Sequence, residues 1–149
     1  MKISLACDHG GLSLKLAVKQ HLEALGHQVE DFGTHTRDSC DYSDFAAPAA
    51  QAVAKGQCER GIVICTTGIG VSITANKVKG IRCALLSDLM SARLTRQHND
   101  ANMVCIGARV IGPETAKMIV EAFLTTPFEG GRHQKRVDMI TDIENRESN

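Results

Sequence analysis

A thiol, two hydroxyls and two glycines stand close together in Cys65-Thr66-Thr67-Gly68-Ile69-Gly70, with Val71-Ser72 after them. An apolar run, Gly61-Ile62-Val63-Ile64, leads in, and the stretch from Ile73 to Lys79 can continue a helix. A strand that turns through glycines into a helix aims several backbone N–H groups at one point. An anion or a developing oxyanion fits there. Cys65 stands at the mouth of the turn, where a helix N-terminus favours the thiolate form of a cysteine. A thiolate near a histidine serves as a nucleophile or as a base, and the residue types leave both open.

Three further groups carry ionisable chemistry. Asp8-His9 and His98-Asn99-Asp100 place histidines, the side chain suited to moving protons near neutral pH, beside polar partners. Asp8 also suits a helix N-cap, and His98-Asn99-Asp100 a plain turn. Arg132, His133, Lys135 and Arg136 form a basic run. Such a run is often a solvated face. Yet Arg132 and Arg136 share a helical face if the helix reaches back to them, and with Arg109 they can clamp a phosphate. The glycines are not a dinucleotide fingerprint, because Ile73 stands where the third glycine belongs and the loop follows the third strand. Nor are they a P-loop, since no Gly-Lys-Ser/Thr follows.

These side chains need a frame, and the pattern supplies one. Strands are expected over residues 2–7, around Val29 and Phe32, and over 61–65, 81–86 and 103–106. Helices are expected over 12–25, stopped by Gly26, and over 44–55, starting near Ser43 with Pro48 in the first turns. Others follow from the glycine loop to about Lys79, over 88–97, over 113–124 with Pro113 at the start, and over 134–146. Residues 34–42, 98–102 and 128–133 read as loops. The alternation predicts a three-layer α/β/α sandwich: a Rossmann-like, five-stranded parallel sheet with helices on both faces, in one domain over 1–149. Such sheets bind ligands at the carboxyl ends of their strands. Asp8-His9, Cys65-Thr66-Thr67, His98-Asn99 and Arg109 are therefore expected at that edge.

Composition narrows the partners. The 149 residues are 43% hydrophobic and 23% charged, with 17 basic and 17 acidic side chains. Zero net charge gives no sign of nucleic-acid or anionic-membrane binding. No apolar run is long enough for a membrane span, and Met1-Lys2-Ile3-Ser4 lacks a signal-peptide layout, so a cytoplasmic address is expected. None of the six cysteines forms a C-x-x-C pair, which disfavours a zinc knuckle or a thioredoxin-type site. Cys7, Cys83 and Cys105 lie in apolar runs and read as buried small hydrophobes.

Several stretches, in fixed order, resemble one family over nearly the whole chain. They are Cys7-Asp8-His9-Gly10-Gly11, Asp41-Tyr42, Cys65-Thr66-Thr67-Gly68-Ile69-Gly70, Ala75-Asn76-Lys77 and Gly80-Ile81-Arg82, followed by Arg96-Gln97-His98-Asn99-Asp100-Ala101-Asn102, Gly107-Ala108-Arg109 and Glu129-Gly130-Gly131-Arg132-His133. The chain resembles the ribose-5-phosphate isomerase B family, which includes galactose-6-phosphate isomerase subunits. The resemblance implies interconversion of ribose 5-phosphate and ribulose 5-phosphate, with no metal and no nucleotide cofactor. It implies Cys65 as base, Thr67 assisting at the sugar, and His98 as the proton donor that opens the furanose ring. Asp8, His9, Tyr42, Thr66, Thr67, Gly68, Ile69, Gly70, Ser72, Asn99, Arg109, Arg132 and Arg136 match substrate-binding positions. Homodimers or homotetramers with a site shared between chains are implied, with the helix over 134–146 at the interface. Some members replace the cysteine with a glutamate just after the second glycine; here that position is Val71, which marks the cysteine type. Thr66 replaces a glycine common in relatives, which bears on sugar size. Two alternatives stand beside this reading: an isomerase of a six-carbon sugar phosphate such as allose or galactose 6-phosphate, and a non-catalytic sugar-phosphate sensor.

Overall fold

The computed structural model describes residues 1–147. Ser148 and Asn149, the end of the expected 1–149 domain, lie outside the described residues. Strand β1 (Lys2–Cys7) passes through a short 3-10 turn (His9–Gly11) into α1 (Leu12–Ala24). Then come β2 (Gln28–Asp31), α2 (Ser43–Ala54), β3 (Arg60–Cys65), α3 (Ile69–Ala75) and β4 (Cys83–Leu85). The chain continues with α4 (Leu89–Asn99), β5 (Met103–Gly107), α5 (Pro113–Thr125) and α6 (Arg132–Glu147). All the strands are parallel, in the order β2-β1-β3-β5-β4.

Alternation along β3 divides the core in two. Ile62 and Ile64 face a layer built from Leu14, Val18 and Leu22 of α1 and Ile119, Val120 and Phe123 of α5. Val63 and Cys65 face the opposite layer, where Ala46, Ala49, Ala50 and Val53 of α2 join Val71 and Ala75 of α3. Alanine at successive inward positions lets α2 approach the sheet closely. β3 carries apolar residues on both faces because both are covered, as a central parallel strand requires.

Several boundaries differ from the sequence pattern. The α3 helix stops at Ala75 rather than near Lys79, since Asn76 uses its side chain to bond both the Cys83 N–H and the Cys83 carbonyl. This clasp leaves only Cys83–Leu85 in the fourth strand. The α4 helix runs through Asn99, so His98 and Asn99 are helical and not in a polar turn. It ends where Asp100 takes a left-handed conformation (φ 45°), with its carboxylate held by Arg96 at 2.8 Å and Arg82 at 3.2 Å. The last helix starts at Arg132, two residues before the expected 134, which sets Arg132 and Arg136 one turn apart on one helix.

Candidate active site

Strand ends assemble one cluster. Asp8, immediately after β1, accepts a hydrogen bond from the Gly11 N–H on Oδ1 at 3.1 Å, so it does cap the turn. His9 accepts the Cys40 N–H on Nδ1 at 3.2 Å, which puts the proton of the neutral ring on Nε2. Thr66 lies across Gly10: a Cβ there would sit 2.2 Å from Thr66 Oγ1. Tyr42 covers Gly70 in the same way, with ring atoms 2.8–2.9 Å from where a Cβ would be. Two glycines thus make room for two side chains beside the loop.

Cys65 closes β3 and is 4% exposed. Its sulfur accepts the Gly68 N–H at 3.1 Å. Gly68 can aim that amide because it takes φ +80°, where a side chain would also strike Leu85 and the Ile106 backbone. Thr67 Oγ1 accepts the Ile69 N–H at 3.2 Å. Two of the loop amides are therefore engaged by the loop's own side chains. The Gly70 N–H lies in the first helical turn, where the helix leaves its donors unpaired. Ser72, half-buried one turn into α3, faces the Cys105 thiol behind the loop. Arg109 is pinned beside the loop by backbone bonds from Ala108 N–H to the Cys65 carbonyl (2.8 Å) and from Arg109 N–H to the Thr66 carbonyl (3.0 Å).

A second cluster forms elsewhere. His98, half-buried in the last turn of α4, stacks on His133 with ring centroids 4.2 Å apart and planes inclined by 11°. Asn99, Arg132 and Arg136 are exposed around this pair. Glu129 approaches His133 Nε2 at 3.4 Å, and its N–H bonds the Gln97 carbonyl at 3.1 Å, tying the loop before α6 to α4.

The two clusters lie at opposite edges of the sheet. Cys65 is in register with Gly107, the last residue of β5, whereas Asn99 precedes Met103, the first. The four steps along β5 between those ends span about 13 Å at roughly 3.3 Å per residue. This corrects the expectation of a single edge. In a parallel sheet, a segment leading into a strand and one leaving it are on opposite sides. Asp8, His9, Tyr42, Thr66, Thr67, Gly68, Ile69, Gly70, Ser72 and Arg109 surround or adjoin Cys65. His98, Asn99, Arg132 and Arg136 do not reach it within one chain. A groove of about 810 Å³ runs between α6 and the β4 edge, lined by Ile81, Arg82, Ile140 and Ile143, and touches Asn99 but not Cys65.

In the sequence His133 stands out only as part of a basic run, and the Cys40 amide that orients His9 does not stand out at all. The Glu129/His133 spacing of four residues was a signal for the first; nothing local marked the second.

Residues 3–140 match the Ribose/Galactose Isomerase family. The chain is 50% identical over 145 residues to ribose-5-phosphate isomerase B of Escherichia coli, covering 97% of each. It superposes on ribose-5-phosphate isomerase B of Clostridium thermocellum with a TM-score of 0.96 and 49% identity, over 98% of this chain and 99% of that one. The Mycoplasma genitalium ribose-5-phosphate isomerase B with bound ribulose-5-phosphate gives 0.93 and 42% identity, covering 97% and 96%.

Proposed function

This chain belongs to the ribose/galactose isomerase family, and from that premise we propose that it is an aldose–ketose isomerase interconverting ribose 5-phosphate and ribulose 5-phosphate. The observation that carries the mechanism is the Cys65 sulfur held by the Gly68 amide at a strand end, with Thr67 beside it. An N–H bond to sulfur is stronger when the sulfur is charged. Cys65 takes the proton from C2 of the open-chain aldose and returns it to C1, while the hydroxyl proton on O2 passes to O1 by way of the Thr67 hydroxyl, which donates to one oxygen as it accepts from the other. The enediolate between those steps accepts the free Gly70 N–H and the Thr67 hydroxyl. The Nε2–H of His9 and the Arg109 guanidinium bind phosphate, so remote binding energy places the reacting carbons. Thr66, lying across Gly10 beside Asp8, takes up space near the thiol and on this reading favours a five-carbon over a six-carbon sugar.

His98 of the partner subunit supplies the ring-opening proton to the furanose oxygen, while Asn99, Arg132 and Arg136 of the partner subunit complete the substrate clamp. The separation of the two clusters within one chain supports this homodimer, each site being built from both copies. Exposed apolar side chains next to each cluster suit a subunit contact: Ile69, Ile73 and Leu85 near the thiol, Met139, Ile140 and Ile143 on α6. Residues 1–149 then act as one domain with α6 at the interface. No helix among the described residues is long and apolar enough to cross a membrane. The cysteines are all free, which fits a reducing cytoplasm.

Complementation tests the shared site. Cys65→Ala and His98→Asn proteins are each purified, found inactive, then unfolded and refolded together. Random pairing puts half the chains' sites in mixed dimers, each with one intact site, so about a quarter of native activity should return. A mixture as inactive as its parts would refute sharing. Absence of turnover of any sugar phosphate by the native protein would instead favour the sensor.

A further inference from the structure

Among the described residues, three buried side-chain nitrogens lack a hydrogen bond: Arg60 Nε and both ring nitrogens of His133. His133 is 4% exposed, and unpaired buried donors and acceptors carry a cost, so its place needs a reason. The ring lies flat against His98. A chelate does not explain it. Ring nitrogens of His98 and His133 and the Glu129 carboxylate lie within 4.8 Å of one another, but planes only 11° from parallel send their lone pairs side by side and not to a common point.

The surroundings disfavour a charge on His133. Burial pushes its titration down, and the charges of His98 on α4 and of Arg132 and Arg136 on α6 push the same way, against Glu129 from the preceding loop. A neutral ring beside His98 has two uses. It fixes the plane in which His98 presents its N–H, and its π face tolerates positive charge on His98 better than a charged neighbour would.

We propose that His133 is a positioning residue for ring opening: a buried ring, stacked on His98 at 4.2 Å, that sets the plane of His98. The proposal rests on His98 being the ring opener. Ribose 5-phosphate must be opened before the proton transfer at carbon. Ribulose 5-phosphate is already acyclic, because its C5 oxygen carries the phosphate, so exchange of its C1 hydrogen with solvent needs Cys65 but no ring opening. The two reactions separate the roles.

The test uses His133→Leu, His133→Phe and His98→Asn in the full chain. Ribose 5-phosphate turnover and deuterium entry at C1 of ribulose 5-phosphate in D2O, followed by NMR, are measured for each. His133→Leu should slow ribose turnover about tenfold, the scale of one ring-face interaction, and leave C1 exchange within about twofold. His133→Phe, which restores a flat ring without nitrogens, should recover most of the turnover. Equal loss of both reactions in His133→Leu, or a Phe variant no better than Leu, overturns the proposal. A His98→Asn protein that opens ribose 5-phosphate as well as the native one overturns the premise; separation by His98→Asn without separation by His133→Leu overturns the positioning role alone.

Discussion

Cys65 ends a strand flanked by β1 and β5, with Gly68 and Ala108 bonded to its own sulfur and carbonyl. His98 lies in the last turn of a helix, and its ring stacks on a neighbour from another helix. The thiol cluster is therefore an outgrowth of the sheet, fixed by backbone bonds that any folded copy must make. It also rests on a buried support: Lys15, fully enclosed, bonds Asp31 at 3.0 Å and the Thr34 carbonyl at 2.8 Å below the loop that carries Cys40 and Tyr42. The histidine cluster is assembled from helix ends, and most of its charged groups face solvent. On the proposed mechanism, the base that serves two adjacent carbons is built into the frame, while the groups that would grip the substrate from the far side sit on helix ends.

The largest effect expected from this contrast is at Cys65. Replacing it with alanine should cut turnover by at least about a thousandfold, in the range of a lost general base. Ribulose 5-phosphate binding by calorimetry should persist, since the phosphate groups remain. Near-native turnover would break the contrast, because the built-in cluster would then hold no essential chemistry. Arg132→Ala should act differently, raising KM about tenfold for the loss of a charge-assisted contact. Its side chain is exposed, so the thermal midpoint should stay put. A large fall in that midpoint would show that the second cluster is structural after all.

The smallest effect is on acid stability, and it belongs to the framed half. Burial alone would raise the Asp31 titration, but the Lys15 bond, the Gly33 N–H and Lys19 together bring it below the usual aspartate value. A carboxylate held down in the folded state stabilises above its unfolded pKa of about 3.9, and that contribution disappears as pH falls through the folded value. Thermal midpoints should thus decline from about pH 5 downward, and Asp31→Asn should flatten part of that decline. An unchanged slope in the Asn variant would place the acid-sensitive group elsewhere.

Much of the frame was legible in the chain. Apolar runs such as Gly61–Ile64 read as buried parallel strands because both faces of β3 are covered, and Pro113 and Gly26 marked a start and a stop that the structure keeps. Helix ends near polar residues were harder. His98 and Asn99 look like a turn in sequence, but α4 runs through both and ends at Asp100, whose carboxylate Arg82 and Arg96 hold. The clamp that shortens the fourth strand also depends on Asn76 meeting Cys83 across a loop.

The sequence by itself determined which residues are candidates for the chemistry, because a thiol before glycines, paired histidine segments and spaced arginines are local facts of composition and spacing. It also determined the α/β alternation, since periodicity is local too. Only the tertiary structure decided which of those residues meet. Sheet direction puts the approach to β5 and the exit from β3 on opposite edges, and no local pattern encodes that distance. The stack of His98 on His133 was likewise decided there, because it joins α4 to α6 across residues 98 and 133, and only packing brings those helices together.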